Sequence, residues 1–206
     1  VGLNIGLNKD AESLGFDGAN IWAHPGQDLD GNMERHAKDF SEPFSWYFMT
    51  FPSAKDPSWS ERFPNKATIE MFAATDFSHF EQWSGSAWKQ RGEDYEQLKQ
   101  QIAERMMAEL LKYVPQIEGH IDHFEVSTPV SYQHFLRRER GNFMGIEASP
   151  ARFRQKWLSA ETPIKGLYLT GQDVTTDGII GALSAGVITA SAIFGEDILS
   201  QIAKAS

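Results

Sequence analysis

Gly166-Leu167-Tyr168-Leu169-Thr170-Gly171-Gln172-Asp173, followed after a short polar interval by Gly178-Ile179-Ile180-Gly181-Ala182-Leu183, is the stretch that says most about the chain. Leu167 to Thr170 reads as a short buried strand, and Gly171-Gln172-Asp173 as the turn that leaves it. Thr175, Thr176 and Asp177 offer capping side chains, and the helix they would open runs from Gly178 towards Phe194. A helix N-terminus carries unpaired N–H groups and partial positive charge, which suit a phosphate, a carbonyl or the electron-rich edge of a flat ring. Gly178, Gly181, Ala182, Ala185, Gly186 and Ala190 give this helix a small-residue face that lets a flat ligand or a neighbouring element approach the backbone. The pattern leaves three readings open: a ligand cradle, a helix packed tightly on a neighbour, and a membrane span, since residues 178–195 carry no charge.

Working outward, the upstream sequence is rich in strands. Val1, Leu3, Ile5 and Leu7 alternate as a half-buried strand, entered without an initiator Met, as expected of a chain that begins inside a longer protein. Ala19 to His24, Phe44 to Phe51, Ala67 to Ala74 and Ile121 to Val126 read as further strands, with a short polar helix over 31–40 and a loop over 52–66. Leu98, Ile102, Met106, Leu110 and Val114 recur every fourth residue, predicting a long helix from Asp94 to Val114 that Pro115 stops. Ser127 or Thr128 caps another helix with Pro129 at its first position. The expected fold is α+β: an antiparallel sheet with helices packed on one face over residues 1–160, then a strand–turn–helix over 161–206.

Composition narrows the function. Among 206 residues, 28 are acidic and 19 basic, a net charge of -9 that argues against a nucleic-acid partner. The absence of cysteine removes disulfides, thiolate metal sites and cysteine nucleophiles. No metal site is expected: Asp28-Leu29-Asp30-Gly31-Asn32 fails as a calcium loop, because the aligned first and last ligand positions are Gly26 and Ala37. His120 and His123 would fall on opposite faces of a strand. No basic, apolar leader opens the sequence, so the expected location is cytoplasmic, with peripheral membrane contact. The aromatic runs Phe44–Phe51 and Phe72–Trp88 are rich enough either to form a core or to wall a channel for a long apolar molecule.

The terminal stretch resembles the C-terminal FAD segment of the phytoene desaturase, carotenoid isomerase and retinol saturase group of flavoproteins. Upstream, Thr128-Pro129, Arg140-Gly141-Asn142-Phe143-Met144-Gly145, Pro150-Ala151-Arg152-Phe153-Arg154, Trp157-Leu158 and Thr162-Pro163-Ile164 are also similar to retinol saturase-type proteins. The resemblance implies a flavin-dependent oxidoreductase acting on a polyene or isoprenoid by hydride exchange, in the direction of desaturation, saturation or isomerisation. It implies FAD contacts at Gly171, Gln172, Asp173, Gly178, Ile179, Ile180, Gly181 and Ala182, with Asp173 on the ribityl–pyrophosphate region. Phe143 and Met144 are the side chains expected near flavin and substrate, and no catalytic residue is assigned. The sequence departs from the group at Thr176-Asp177, where a helix cap is the expected role of Asp177. No Gly-x-Gly-x-x-Gly occurs, so the N-terminal Rossmann half that holds ADP is missing. The chain alone is therefore expected to be inactive, and its uncovered apolar face to favour a homodimer. The alternative is a non-catalytic module that binds an apolar ligand or dimerises without flavin.

Overall fold

A computed structural model describes residues 1–142 and 144–205. The chain divides into two compact units, Val1–Gly141 and Asn142–Ser206. The sequence places a division at 160; in the structure Met144, Ile146 and Arg152 hydrogen-bond to Gln172, Asp173 and Asp177 and lie with them in the second unit.

The first unit is built on five antiparallel strands: β1 (Gly2–Leu7), β2 (Ile21–Ala23), β3 (Tyr47–Thr50), β4 (Ala67–Ala73) and β5 (Ile121–Ser127), in the order β2-β3-β4-β1-β5. Period-2 alternation splits them cleanly into two faces. One row across all five strands, Ile21–Met49–Met71–Leu3–Val126, faces the core. The neighbouring row, Trp22–Phe48–Phe72–Gly2–Ser127, faces the other way. The helices of this unit are α1 (Leu29–Lys38), the short α2 (Pro52–Lys55) and α3 (Trp59–Arg62), the long α4 (Glu93–Tyr113) and α5 (Pro129–Leu136). The four-residue stripe of α4 buries Ile102, Met106 and Leu110 in the same cluster as Leu3, Ile5 and Ile69. The α+β expectation with an antiparallel sheet therefore holds. The loop expected over 52–66 instead contains α2 and α3, because Pro52 can open a helix at its first turn.

The second unit contains α6 (Pro150–Phe153), α7 (Gly178–Phe194) and α8 (Ile198–Ala205). The buried strand expected at Leu167–Thr170 is not formed. Tyr168 makes a single bridge to Glu161, Leu169 N–H donates to the Ala160 carbonyl at 2.9 Å, and Leu167, Tyr168 and Leu169 remain exposed. Strand-prone side chains become a strand only beside a partner ladder, and the described residues supply one bridge. Among the described residues no single helix is long and apolar enough to cross a bilayer. Helices α7 and α8 meet that test only as a pair, bent by 114°.

Candidate functional site

In the second unit, side chains from 142–152 and 172–178 tie two turns together. Asn142 Oδ1 accepts from the N–H groups of Met144 (2.9 Å) and Gly145 (3.1 Å), which shapes the first turn. Asp173 Oδ1 accepts from Ile146 N–H at 2.9 Å. Gln172 reaches both ways: its Nε2 donates to the Met144 carbonyl at 2.9 Å, and its Oε1 accepts from Gly178 N–H at 3.1 Å. Four of the residues expected from sequence, Met144, Gln172, Asp173 and Gly178, are thus brought into one hydrogen-bonded group. Phe143 lies outside the described residues.

Arg152 clamps this group. Ser149 Oγ caps the short α6 by accepting from Arg152 N–H at 3.3 Å, which sends the buried guanidinium into the turn. Its Nη1 donates to the Ile146 carbonyl (2.6 Å) and to Asp177 Oδ1 (2.7 Å), and its Nη2 to the Gln172 carbonyl (2.7 Å). Asp177 was expected to cap α7. It stands at the cap position but its side chain makes no cap bond; Arg152 takes its carboxylate, and Gln172 supplies the acceptor for Gly178 instead. A charged donor with fixed fork geometry outcompetes a neutral N–H for a carboxylate. Arg152 entered the sequence reading only as part of a resembling motif. Its partner lies 25 residues away, beyond any helix or strand period, so only the fold reveals the clamp.

The start of α7 is open. The N–H groups of Ile179 and Ile180 have no acceptor among the described residues, and their side chains are 86% and 73% exposed. Gly178 adopts φ +90, with nothing within 4 Å of where a Cβ would stand. Gly181 is the opposite case: a Cβ there would collide with the Thr176 carbonyl, and its own carbonyl accepts from Thr175 Oγ1 at 2.7 Å. Ala182 is exposed beside it. Two free amides, a bare glycine and exposed small or apolar side chains fit the edge of a flat, electron-rich ring such as a flavin, so this observation is compatible with the group that the sequence resemblance implies.

The first unit holds a second feature of interest, on the sheet face that α4 does not cover. Trp22, Phe48 and Phe72 line up in register, with ring centroids 4.7 Å apart for Trp22–Phe48 and 6.3 Å for Phe48–Phe72. Trp46 flanks Trp22 at 5.6 Å, and the Tyr132 hydroxyl from α5 lies over Gly2 at the next position of the row. The aromatic run over 44–51 is therefore divided: Phe44, Tyr47 and Phe51 are core, whereas Trp46 and Phe48 lie on the open side. In the second run, Phe77, Phe80 and Trp83 are buried and only Phe72 joins the row.

No protein-family profile matches the chain. Comparison with curated proteins is more informative. Human all-trans-retinol 13,14-reductase is 34% identical over 205 residues, covering 96% of this chain and 34% of the reductase. The chain belongs to the retinol saturase–carotenoid isomerase group. Prolycopene isomerase of Arabidopsis thaliana is 26% identical over 160 residues, 77% of this chain and 25% of the isomerase. A zebrafish protein named as an inactive all-trans-retinol 13,14-reductase is 30% identical, over 91% of the chain and 32% of its own length. The chain thus spans about a third of the length of the retinol reductases it matches. Similarity across it extends alike to reductases, to an inactive relative and to isomerases, so this third alone does not discriminate their chemistries.

Proposed function

We propose that the chain is the C-terminal part of an FAD-dependent oxidoreductase that acts on a polyene or isoprenoid such as a retinoid or carotenoid. The observation that carries this reading is the open start of α7, held by the Gln172–Gly178 bond and left with unpaired amides at Ile179 and Ile180. FAD, when bound, supplies the two-electron chemistry that carbon–carbon double bonds require. The residues that would hold it are Gly171, Gln172, Asp173 and Gly178 to Ala182. The free amides of Ile179 and Ile180 face negative charge favourably, and the exposed side chains of Ile179, Ile180 and Leu183 exclude water once covered. Arg152 and Gln172 fix the turn so that these amides are positioned before any ligand arrives. The Trp22–Phe48–Phe72 row offers a long apolar surface of the kind a polyene chain needs. The names of the relatives favour saturation or isomerisation over desaturation.

The test uses the intact protein in which this chain occurs. Purified wild type is expected to be yellow with bound flavin and to consume the polyene absorbance of all-trans-retinol or a poly-cis carotene. Gly181→Ala forces the Thr176 carbonyl aside and displaces the start of α7, so FAD retention is expected to weaken about tenfold or more while the sheet's circular dichroism stays unchanged. A colourless intact protein, or full flavin occupancy in Gly181→Ala, would overturn the reading.

A further inference from the structure

The sheet of the first unit has two unlike edges. At one, β2 is three residues long and gives way to His24-Pro25-Gly26, so little backbone is left for another strand to pair with. At the other, β5 runs seven residues without proline, and its irregularity in register lies at the Ile121 end. Asp122, His123, Phe124 and Glu125 are all exposed, whereas the inner strand β4 alternates between buried and half-buried residues. Among the described residues no backbone hydrogen bond reaches the outer side of 122–126. The core-facing row Ile69–Ile5–Phe124 is buried at its first two positions and 39% exposed at the third. It runs out beside an apolar groove of about 340 Å³, which Phe124 lines together with Ala103, Met107, Ala108 and Leu111 of α4. An unpaired strand edge with an apolar groove alongside is the arrangement that accepts a further strand.

The order of residues on β5 says which strand. His123 and Glu125 stand on the opposite face from Phe124, and their neighbours on β1, Gly6 and Asn4, carry no charge. Among the described residues neither has an ion-pair partner, and Asp122 is held by Lys66 at 2.6 Å. When a strand pairs antiparallel with its own copy, side chains on the same face must meet, so the two-fold axis passes through a residue. An axis at Glu125 sets two carboxylates opposite each other, which repel, and an axis at His123 sets two imidazoles opposite each other, which gain nothing. An axis at Phe124 sets His123 of each copy against Glu125 of the other, and a carboxylate so placed draws an imidazole towards its charged form. The same axis brings the two Phe124 rings side by side, next to both grooves. The stretch His123-Phe124-Glu125 is thus complementary to itself in charge and in apolar surface.

We propose that two copies of this chain associate through β5, antiparallel about a two-fold axis at Phe124, so that their sheets join into one. This does not depend on the flavin reading, because association is measured by sedimentation and needs neither turnover nor flavin. The intact protein in which the chain occurs is expected to sediment as a dimer at micromolar concentration, with amide exchange over 123–126 slowing as the concentration rises. Phe124→Glu, at a site already partly exposed, should leave the fold intact and give a monomer. His123→Glu sets like charges opposite each other in both cross-strand pairs and should weaken association about tenfold. Glu125→Lys should weaken it as well. Mixing these two variants should restore association, because the carboxylate introduced at 123 of one chain faces the ammonium introduced at 125 of the other. A monomer at every concentration, a dimer indifferent to Phe124→Glu, or a mixture that associates no more tightly than either variant alone would overturn the proposal. So would slow exchange over 123–126 in a monomer, which would mean that another part of the intact protein pairs with β5.

Discussion

Residues 1–141 bury Leu3, Ile5, Ile69, Met71, Ile102 and Met106 in one cluster, whereas the second unit leaves Ile179, Ile180, Leu183 and Phe194 more than two-thirds exposed. The first unit thus draws its stability from apolar area removed from water, which is large and non-directional. The second is held chiefly by directed polar bonds: Arg152 to three oxygens, Gln172 to two backbone groups, and Thr189 Oγ1 to the carbonyls of Leu169 (2.9 Å) and Ala185 (2.7 Å). A unit held in this way can keep apolar residues on its outside, as a surface built to be covered requires.

Three measurements can break or sharpen the contrast. Ile102→Ala removes a fully buried side chain from the α4 stripe and should cost about 4 kcal/mol, read as a shift in the denaturant midpoint of the first unit. Arg152→Ala should cost about 3 kcal/mol, the lower end for a broken buried pair because the Asp177 side chain keeps 21% exposure. That loss should be local: amide exchange should quicken at Ile146 and over 172–181 and stay unchanged in β1. Equal quickening in β1 would mean that the two units share one cooperative core.

The smallest effect concerns the buried His36 in α1, whose ring nitrogens contact the Glu42 carbonyl (3.0 Å) and Thr75 Oγ1 (3.1 Å). Burial is the main cause that lowers its pKa from 6.5; nearby Arg105 and His79 lower it further, while the Glu42 bond opposes them. The unfolded chain therefore binds the proton more readily than the folded one. Its contribution is complete above pH 6.5 and is lost as pH falls through the lower folded value. Thermal midpoints measured across this range should decline on acidification, and His36→Gln should flatten the decline.

Much of the first unit was legible because its periods are plain. The odd-numbered apolar residues of Val1–Leu7 and the four-residue repeat of α4 each specify one face, and both occur as read. Of the two cap residues that the sequence offers, Ser127 and Thr128, it is Thr128 that stands at the N-cap of α5, where its N–H donates to Ser131 Oγ at 3.4 Å. The aromatic run over 44–51 was ambiguous because a strand sends alternate rings to opposite faces, and composition cannot say which rings do which work. In the second unit the helix start at Gly178 was legible from the polar residues before it, and the resemblance singled out Met144, Gln172, Asp173 and Gly178, which the fold joins by hydrogen bonds. The roles of individual side chains were not legible. Asp177 looked like a cap because it precedes a helix, and only the fold places Arg152 beside it.

The paired rows of the sheet have a consequence for how such a surface can diversify. Because Trp22, Phe48 and Phe72 alternate with Ile21, Met49 and Met71 along their strands, the open face can be rewritten by point substitution while the buried one is untouched. A single-codon deletion within β3 or β4 has no such freedom: it carries every later side chain of that strand to the wrong side. Variation among proteins with this sheet should therefore accumulate as replacements at alternate positions, with changes of length confined to the connections between strands.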